Sequence, residues 1–231
     1  MADLRHWKAP NLAPKPLIEG RHVRLEKLNT EAHARDLFET NSEDSAIWQY
    51  LFYEPFSDFL SYSEWVTEMA AREDAYYYAI ADRGSQRFRG VASLMRDVPS
   101  MGVIEVGDIN FSVSLQKTPA ATEAIFLLMR QVFEAGYRRF EWKCNALNMG
   151  SRRAAQRFGF SYEGIFRQHM VVKGQSRDTA WFAMIDTDWP NIQEAFEAWL
   201  DSGNFDEEGQ QVRSLSELTR PFLVKCDPTL R

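Results

Sequence analysis

The chain contains 231 residues, of which 45% are hydrophobic and 26% charged, and its formal net charge at pH 7 is −6. This composition is typical of a globular protein with enough apolar side chains to bury a sizeable core. The negative net charge argues against broad, non-specific binding of nucleic acid, because such binding uses a basic surface.

The sequence also gives expectations for cellular location and metal binding. The N-terminal segment lacks the apolar run of a signal peptide, and no stretch approaches the roughly 20 apolar residues that span a membrane. Cys144 and Cys226 match no zinc or redox spacing, and the four histidines form no metal-binding pattern. We therefore expect a cytoplasmic protein that contacts no membrane and binds no metal.

The first elements in the chain are an arm, a strand and a helix. Residues 1–19 contain three prolines and predict an extended N-terminal arm. Residues 22–28 alternate apolar and polar side chains, which is typical of a half-buried strand. Asn29 or Thr30 then caps a predicted helix that continues to about Phe38.

An aromatic-rich region and three strands follow. Pro55 interrupts the aromatic stretch 44–66, which predicts two short helices joined by a loop. Residues 76–81 and 88–94 flank a turn and predict a hairpin, and residues 103–113 form the next predicted strand.

The second half alternates helices and strands. Apolar residues recur at helical spacing over 119–135, a helix that Gly136 ends. The later predicted elements are a strand at 139–144, a helix at 147–158, strands at 160–172 and 177–185, and a helix at 189–200. This order predicts an α/β (α+β) fold. Residues 203–231 are polar and broken by glycine and proline, so we interpret them as a C-terminal appendage.

The segment 116–122 links a strand to the helix at 119–135. Thr118 is a good N-cap, and Pro119 suits the first helical position. Ala120 and Ala121 are small enough to let a ligand approach the backbone. The free N–H groups and the helix dipole there predict an anion site of the kind that a pyrophosphate uses. An ordinary capped helix that binds only water fits the same residues.

A second polar pair opens the next helix. Asn148 and Ser151 are three residues apart and therefore share one face of that helix. Either side chain can simply cap the helix, and either can contact a ligand.

Several short motifs follow one another along the second half of the chain. They are Gln116-Lys117-Thr118-Pro119-Ala120-Ala121, Ala121-Thr122-Glu123-Ala124, Gly136-Tyr137-Arg138-Arg139, Asn148-x-x-Ser151-Arg152, Ala154-Ala155, Phe158-Gly159-Phe160 and Glu163-Gly164. In this order the motifs resemble the GNAT acetyltransferase superfamily, and within it the branch of the ribosomal-protein N-terminal (Rim-type) acetyltransferases. The resemblance extends from about Leu17 to Pro190. One departure is Pro119, which stands where the family has its central glycine and which has no N–H to donate.

The resemblance implies a mixed, mostly antiparallel central sheet with two splayed strands and flanking helices, formed by an acetyltransferase domain at 20–202. It implies transfer of an acetyl group from acetyl-CoA to a primary amine, either on a small molecule or at a protein N-terminus. Members of this branch often form homodimers. The alternative that Pro119 favours is a non-catalytic module that binds coenzyme A or regulates another protein.

The resemblance also implies roles for individual residues. The main chain at Phe111 and Ser112 is expected to bond the pantetheine arm, which Asn148 holds, while Ser151 protonates the departing thiolate. The remaining cofactor contacts are expected at the helix start, from Gln116, Lys117, Thr118, Ala120, Ala121 and Thr122.

Glu105 and Asp108 are the candidates for the group that takes the proton from the amine, and we favour Asp108. They face opposite ways in a regular strand, unless a β-bulge of the kind expected in the family intervenes. Each can instead be a structural or solvated carboxylate. His169 lies near the expected acceptor channel, although a packed or exposed histidine fits equally.

The aromatic residues of the region 44–66 have two interpretations. Four of them occupy the part of the chain where the family places its acceptor site, and they either line a pocket for the acceptor or belong to the core. Phe56 and Phe59 we assign to the core. The four are Trp48, Tyr50, Tyr53 and Trp65.

Overall fold

A single eight-stranded sheet forms the framework of the computed structural model, which describes residues 3–230. Residues 1 and 2 of the predicted arm and residue 231 of the predicted appendage lie outside the described residues. The strand order is β1-β2-β3-β4-β5-β6-β8-β7. The strands are β1 (Leu17–Glu19), β2 (Val23–Lys27), β3 (Ala75–Asp82), β4 (Phe88–Val98), β5 (Val103–Phe111), β6 (Arg139–Asn145), β7 (Ser161–Val172) and β8 (Gln175–Ile185).

Only β5 and β6 are parallel, and every other neighbouring pair is antiparallel. The predicted fold class, with a mixed and mostly antiparallel sheet, is therefore confirmed. The helices are α1 (Thr30–Asn41), α2 (Phe59–Ala71), α3 (Pro119–Glu134), α4 (Met149–Arg157), α5 (Trp189–Leu200) and α6 (Leu215–Thr219). Within the described part of the chain, no helix is both long enough and apolar enough to cross a membrane.

Two short elements did not appear in the sequence analysis. Strand β1 lies inside the predicted arm and pairs with β2, and its three residues are too few to show a periodic pattern. Helix α6 lies inside the predicted appendage and has only five residues, which begin at a capping box between Ser214 and Glu217.

The middle of the sheet is covered on both faces. In β3, Tyr78 and Ile80 pack into a core beneath α3 and α5, while Tyr77 and Ala79 pack into a second core beneath α1 and α2. Successive side chains of a strand point to opposite faces, so a strand buried on both sides has no polar alternation. The second core contains most of the aromatic region 44–66.

Strands β5 and β6 separate partway along their length. They pair only from Val103 to Val106 on β5, and no pair joins them beyond Trp142 on β6. A β-bulge follows on β5, where two residues lie opposite Ala92 and Asp108 has the left-handed φ of 46°. The bulge turns β5 away from its neighbour, and a gap opens between the two strands.

The C-terminal segment 203–230 packs against α4 and β7. Arg152 on α4 forms a buried ion pair with Asp227, with Nε and Oδ2 2.7 Å apart. The Tyr162 N–H on β7 donates to the carbonyl oxygen of Lys225 at 2.9 Å. This segment therefore forms one wall of the space beside α4.

Candidate active site

A cavity of about 1220 Å³ passes through the gap between β5 and β6. At one end it is lined by Tyr50 and Phe52, in the loop before α2. In the middle it is lined by Asp108, on β5, and by Ser151, on the helix α4 that follows β6. The other end lies between the start of α3, the end of α4 and the C-terminal segment. Ligands on the two sides of the sheet can therefore meet at the gap.

The start of α3 is an internally capped helix. Thr118 Oγ1 accepts from the Ala121 N–H at 3.1 Å, as an N-cap does. The Thr118 carbonyl oxygen accepts from the Thr122 N–H at 3.2 Å. The Thr118 N–H is itself 3.4 Å from the carbonyl oxygen of Leu115. Three of the predicted phosphate donors are therefore used within the protein.

The remaining predicted donors are the N–H groups of Lys117 and Ala120, for which residues 3–230 provide no partner. Lys117 has a φ of 62°, a left-handed conformation that is uncommon for a residue other than glycine. Gln116 does not offer its side-chain amide freely, because its Nε2 donates to the carbonyl oxygen of Phe111 at 2.9 Å. The anion site at this helix start therefore depends on two N–H groups, of which that of Lys117 belongs to a residue that lines the cavity and that of Ala120 to a buried residue beside it.

Arg157 supplies positive charge to the same place, and the sequence analysis missed it. Its Nη1 donates to Thr122 Oγ1 at 3.1 Å, and its guanidinium packs over the rings of Phe158 and Trp199. Burial lowers the pKa of Arg157 to about 10. No ion pair with a described carboxylate balances its charge. Arg153 and Arg157 are four residues apart on α4, a spacing that marks one face and was visible in the sequence.

Ser151 is oriented by Trp142, another residue that the sequence analysis missed. The Trp142 Nε1–H donates to Ser151 Oγ at 2.9 Å, so the Ser151 hydroxyl proton is free to point to a different acceptor. Asn148 Oδ1 accepts from the Ser151 N–H at 3.0 Å and therefore caps α4. Asn148 and Ser151 also line the cavity, so a cap and a ligand contact are compatible here.

The structure does not bring Ser112 to the cavity, and its predicted role needs correction. The Ser112 N–H donates to the carbonyl oxygen of Arg89 at 2.9 Å, and its own carbonyl oxygen accepts from Gln116 N–H at 3.0 Å. Its side chain is fully buried. Phe111 does line the cavity. Alternate residues of an antiparallel strand direct their main-chain groups toward the neighbouring strand. Because the Ser112 N–H bonds to β4, the main-chain groups of Phe111 point away from β4.

The bulge in β5 brings both candidate carboxylates to the cavity lining. Glu105 is buried, with Oε1 2.6 Å from Arg96 Nη1 and Oε2 2.8 Å from Lys143 Nζ. Both oxygens of Glu105 are thus occupied by cations. Asp108 is half-buried and accepts a hydrogen bond from the Tyr77 hydroxyl. Asp108 keeps one oxygen for another partner.

The aromatic residues divide between core and cavity. Trp48 and Trp65 are buried in the core beneath α1 and α2, and the Tyr53 ring packs 5.3 Å from that of Trp65. Among the four candidates, only Tyr50 lines the cavity. His169 lines it as well, with Nδ1 3.0 Å from Thr179 Oγ1. Few of the aromatic residues that were candidates for an acceptor pocket therefore reach the cavity.

Known proteins share this fold over nearly the whole chain. The family model for the acetyltransferase (GNAT) domain matches residues 22–161. A GCN5-related N-acetyltransferase from Brucella melitensis is 43% identical, with 94% of this chain and 100% of that chain covered and a TM-score of 0.92. A protein of the GNAT family from Chromobacterium violaceum ATCC 12472 is 39% identical, with coverages of 82% and 96% and a TM-score of 0.77.

A more distant likeness concerns an enzyme with a described acceptor. The acetyltransferase from Salmonella typhimurium that modifies the N-terminal serine of ribosomal protein L7/L12 is 22% identical. Its TM-score is 0.64, and 73% of this chain and 98% of that chain are covered. This likeness shows a shared fold. A comparison with curated proteins finds no match.

Proposed function

The chain belongs to the GNAT acetyltransferase family, and on that basis we propose that it acetylates the primary amine of a small molecule or of a protein N-terminus. Acetyl-CoA, the cosubstrate of this family, supplies the acetyl thioester. One observation carries the proposal: a single cavity joins the helix start of α3 to Asp108 and Ser151 through the gap between β5 and β6.

The residues at the α3 end fit the phosphates of coenzyme A. The N–H groups of Lys117 and Ala120 lack partners in residues 3–230, and Arg157 places an unbalanced positive charge beside them. Backbone donors at a helix start and a nearby guanidinium are a common way to bind phosphate. Arg157 therefore compensates for the phosphate donor that is missing at Pro119.

Asp108 and Ser151 have complementary roles in this proposal. Asp108 accepts the proton that the amine loses as its nitrogen forms the new bond to the acetyl carbon. Ser151, held by Trp142, donates its hydroxyl proton to the thiolate as the carbon–sulfur bond breaks. Phe111 and Asn148 line the passage between the two ends and hold the pantetheine arm there.

Assignment to the Rim-type branch is a proposal as well. It is supported by the Asn148-x-x-Ser151 motif and by the fold shared with the enzyme that acetylates ribosomal protein L7/L12. In this branch the acceptor is a protein N-terminus, so free peptide N-termini are the first acceptors to test.

An acceptor panel tests the proposed function. Purified full-length protein is incubated with acetyl-CoA and with small amines or short peptides, and released thiol and acetylated product are both measured. We expect thiol release that requires an amine, and mass spectrometry should find the acetyl group on that amine. Binding of acetyl-CoA without turnover on any amine would instead support the non-catalytic module that Pro119 suggests.

Replacement of Arg157 tests the phosphate site. We expect Arg157→Gln to weaken acetyl-CoA binding by roughly 10- to 100-fold, since a hydrogen bond to a charged group contributes about 1.5–3 kcal/mol. Isothermal titration calorimetry measures the change. Arg130→Gln, near the C-terminal end of α3 and outside the cavity lining, is the matched control and should bind normally. Equal affinities of Arg157→Gln and the control would remove Arg157 from the site.

A further inference from the structure

Arg177 on β8 is buried, and no carboxylate in the described part of the chain forms an ion pair with it. Only 7% of its surface is exposed, and its Nε and Nη1 find no hydrogen-bond acceptor in residues 3–230. Burying an ionised group without a partner is costly, so a charge in this state is usually paired or used. Burial also lowers the pKa of Arg177 below the ordinary value of arginine.

The carboxylates near Arg177 have partners other than Arg177. Both oxygens of Glu105 are bound by Arg96 and Lys143, and Asp108 accepts a hydrogen bond from the Tyr77 hydroxyl. Neither carboxylate forms an ion pair with Arg177, although both are close enough to influence it electrostatically. Arg177 is therefore left with donors that no described side chain satisfies.

Arg177 lies at the end of the cavity that Tyr50 and Phe52 line. It lines the cavity together with His169, Thr179 and Phe52. The Phe52 ring stacks over the Arg177 guanidinium, with 5.0 Å between the ring centroid and Cζ. This stacking fixes the orientation of the guanidinium plane but provides no hydrogen-bond acceptor. A planar guanidinium with free donors matches the two oxygens of a carboxylate better than any neutral group.

We propose that Arg177 binds a carboxylate of the acceptor, so that the enzyme acts on amines that carry an acidic group close to the amine. This inference rests on the proposed function, because it assigns the cavity end beside β8 to the acceptor. Two kinds of molecule offer this chemistry: a free amino acid through its α-carboxylate, and a peptide with aspartate or glutamate near its free N-terminus.

Matched acid and amide acceptors test the inference. The first series compares free amino acids with their amides, and the second compares peptide amides whose second residue is aspartate or asparagine. Concentrations are corrected for the unprotonated fraction of each amine. We expect kcat/KM to favour the acid by roughly 10- to 100-fold, as the loss of one charged hydrogen-bonded pair predicts. The series with the larger preference identifies the source of the carboxylate.

Two variants separate recognition from folding. Arg177→Gln should abolish the preference for the acid, mainly through KM, whereas Arg177→Lys should keep part of the preference. Arg35→Gln is the matched control, because Arg35 also stacks on a phenylalanine ring, that of Phe59 at 3.5 Å, but is exposed and far from the cavity lining. It should behave like the unaltered protein.

Equilibrium binding provides a readout that does not need turnover. The same acid and amide pairs are titrated calorimetrically into the protein saturated with coenzyme A. Tighter binding of the acid that Arg177→Gln abolishes would support the inference. Equal binding and equal kcat/KM for acid and amide would overturn it, and turnover of both would leave the proposed function intact. If no amine is acetylated, the proposed function fails, and the binding titrations still decide the role of Arg177.

Discussion

Replacement of Asp108 by asparagine is expected to lower kcat of acetyl transfer by roughly 10²- to 10⁴-fold, the usual contribution of a general base. Asparagine keeps the size of the side chain and can still accept the hydrogen bond from the Tyr77 hydroxyl, so the fold should be retained. Steady-state thiol release with a saturating amine measures the effect. Acetyl-CoA affinity, measured by calorimetry, should not change.

Glu105→Gln is the informative comparison. Glu105 lines the same cavity, but its two oxygens are bound by Arg96 and Lys143. Removal of this charge should lower the thermal stability and change kcat little, because Arg96 loses its partner and Lys143 keeps only Glu141. A larger loss of kcat in Glu105→Gln than in Asp108→Asn, with both variants folded, would transfer the role of base to Glu105.

Ser151→Ala is expected to lower kcat by roughly 10²-fold, with little change in acetyl-CoA affinity, because the assigned role is protonation of the leaving thiolate. The cap of α4 should survive, since Asn148 bonds to the main-chain N–H of residue 151 and not to its side chain. Stopped-flow or steady-state thiol release at saturating substrate concentrations measures the change.

Trp142→Phe tests whether the orientation of the Ser151 hydroxyl affects kcat while the hydroxyl itself is kept. Phenylalanine keeps an aromatic ring in the core but removes the Nε1–H that donates to Ser151 Oγ at 2.9 Å. We expect a smaller loss of kcat than in Ser151→Ala. Ser176→Ala, at an exposed position on β8, should have no effect. Unchanged turnover in Ser151→Ala would remove Ser151 from the mechanism.

The fold could be predicted from sequence because its long elements carry strong periodic patterns. The predicted helix at 119–135 corresponds to α3 at Pro119–Glu134, and Thr118 caps it as expected. The predicted strand at 103–113 ends earlier, at Phe111. The three-residue strand β1 was missed because three residues show no repeat, and the five-residue helix α6 was missed because it covers little more than one helical turn.

The candidate site was harder to predict, because its geometry arises from packing between distant parts of the chain. The bulge at Asp108 depends on how β5 pairs with β4, and no residue type on β5 requires it. Nothing in the sequence marks Arg177 as a site residue, because an arginine in a polar stretch is usually exposed. Its importance follows only from burial beneath Phe52, which is far from it in the chain.

A crystal structure of the protein with acetyl-CoA tests the central claim most directly, namely that the cofactor passes from the start of α3 through the gap between β5 and β6. We expect the pyrophosphate within hydrogen-bond distance of the N–H groups of Lys117 and Ala120, with Arg157 beside it. The thioester sulfur should lie within hydrogen-bond distance of Ser151 Oγ. A cofactor bound outside this cavity, or a thioester sulfur remote from both Ser151 and Asp108, would contradict the assignment of the active site.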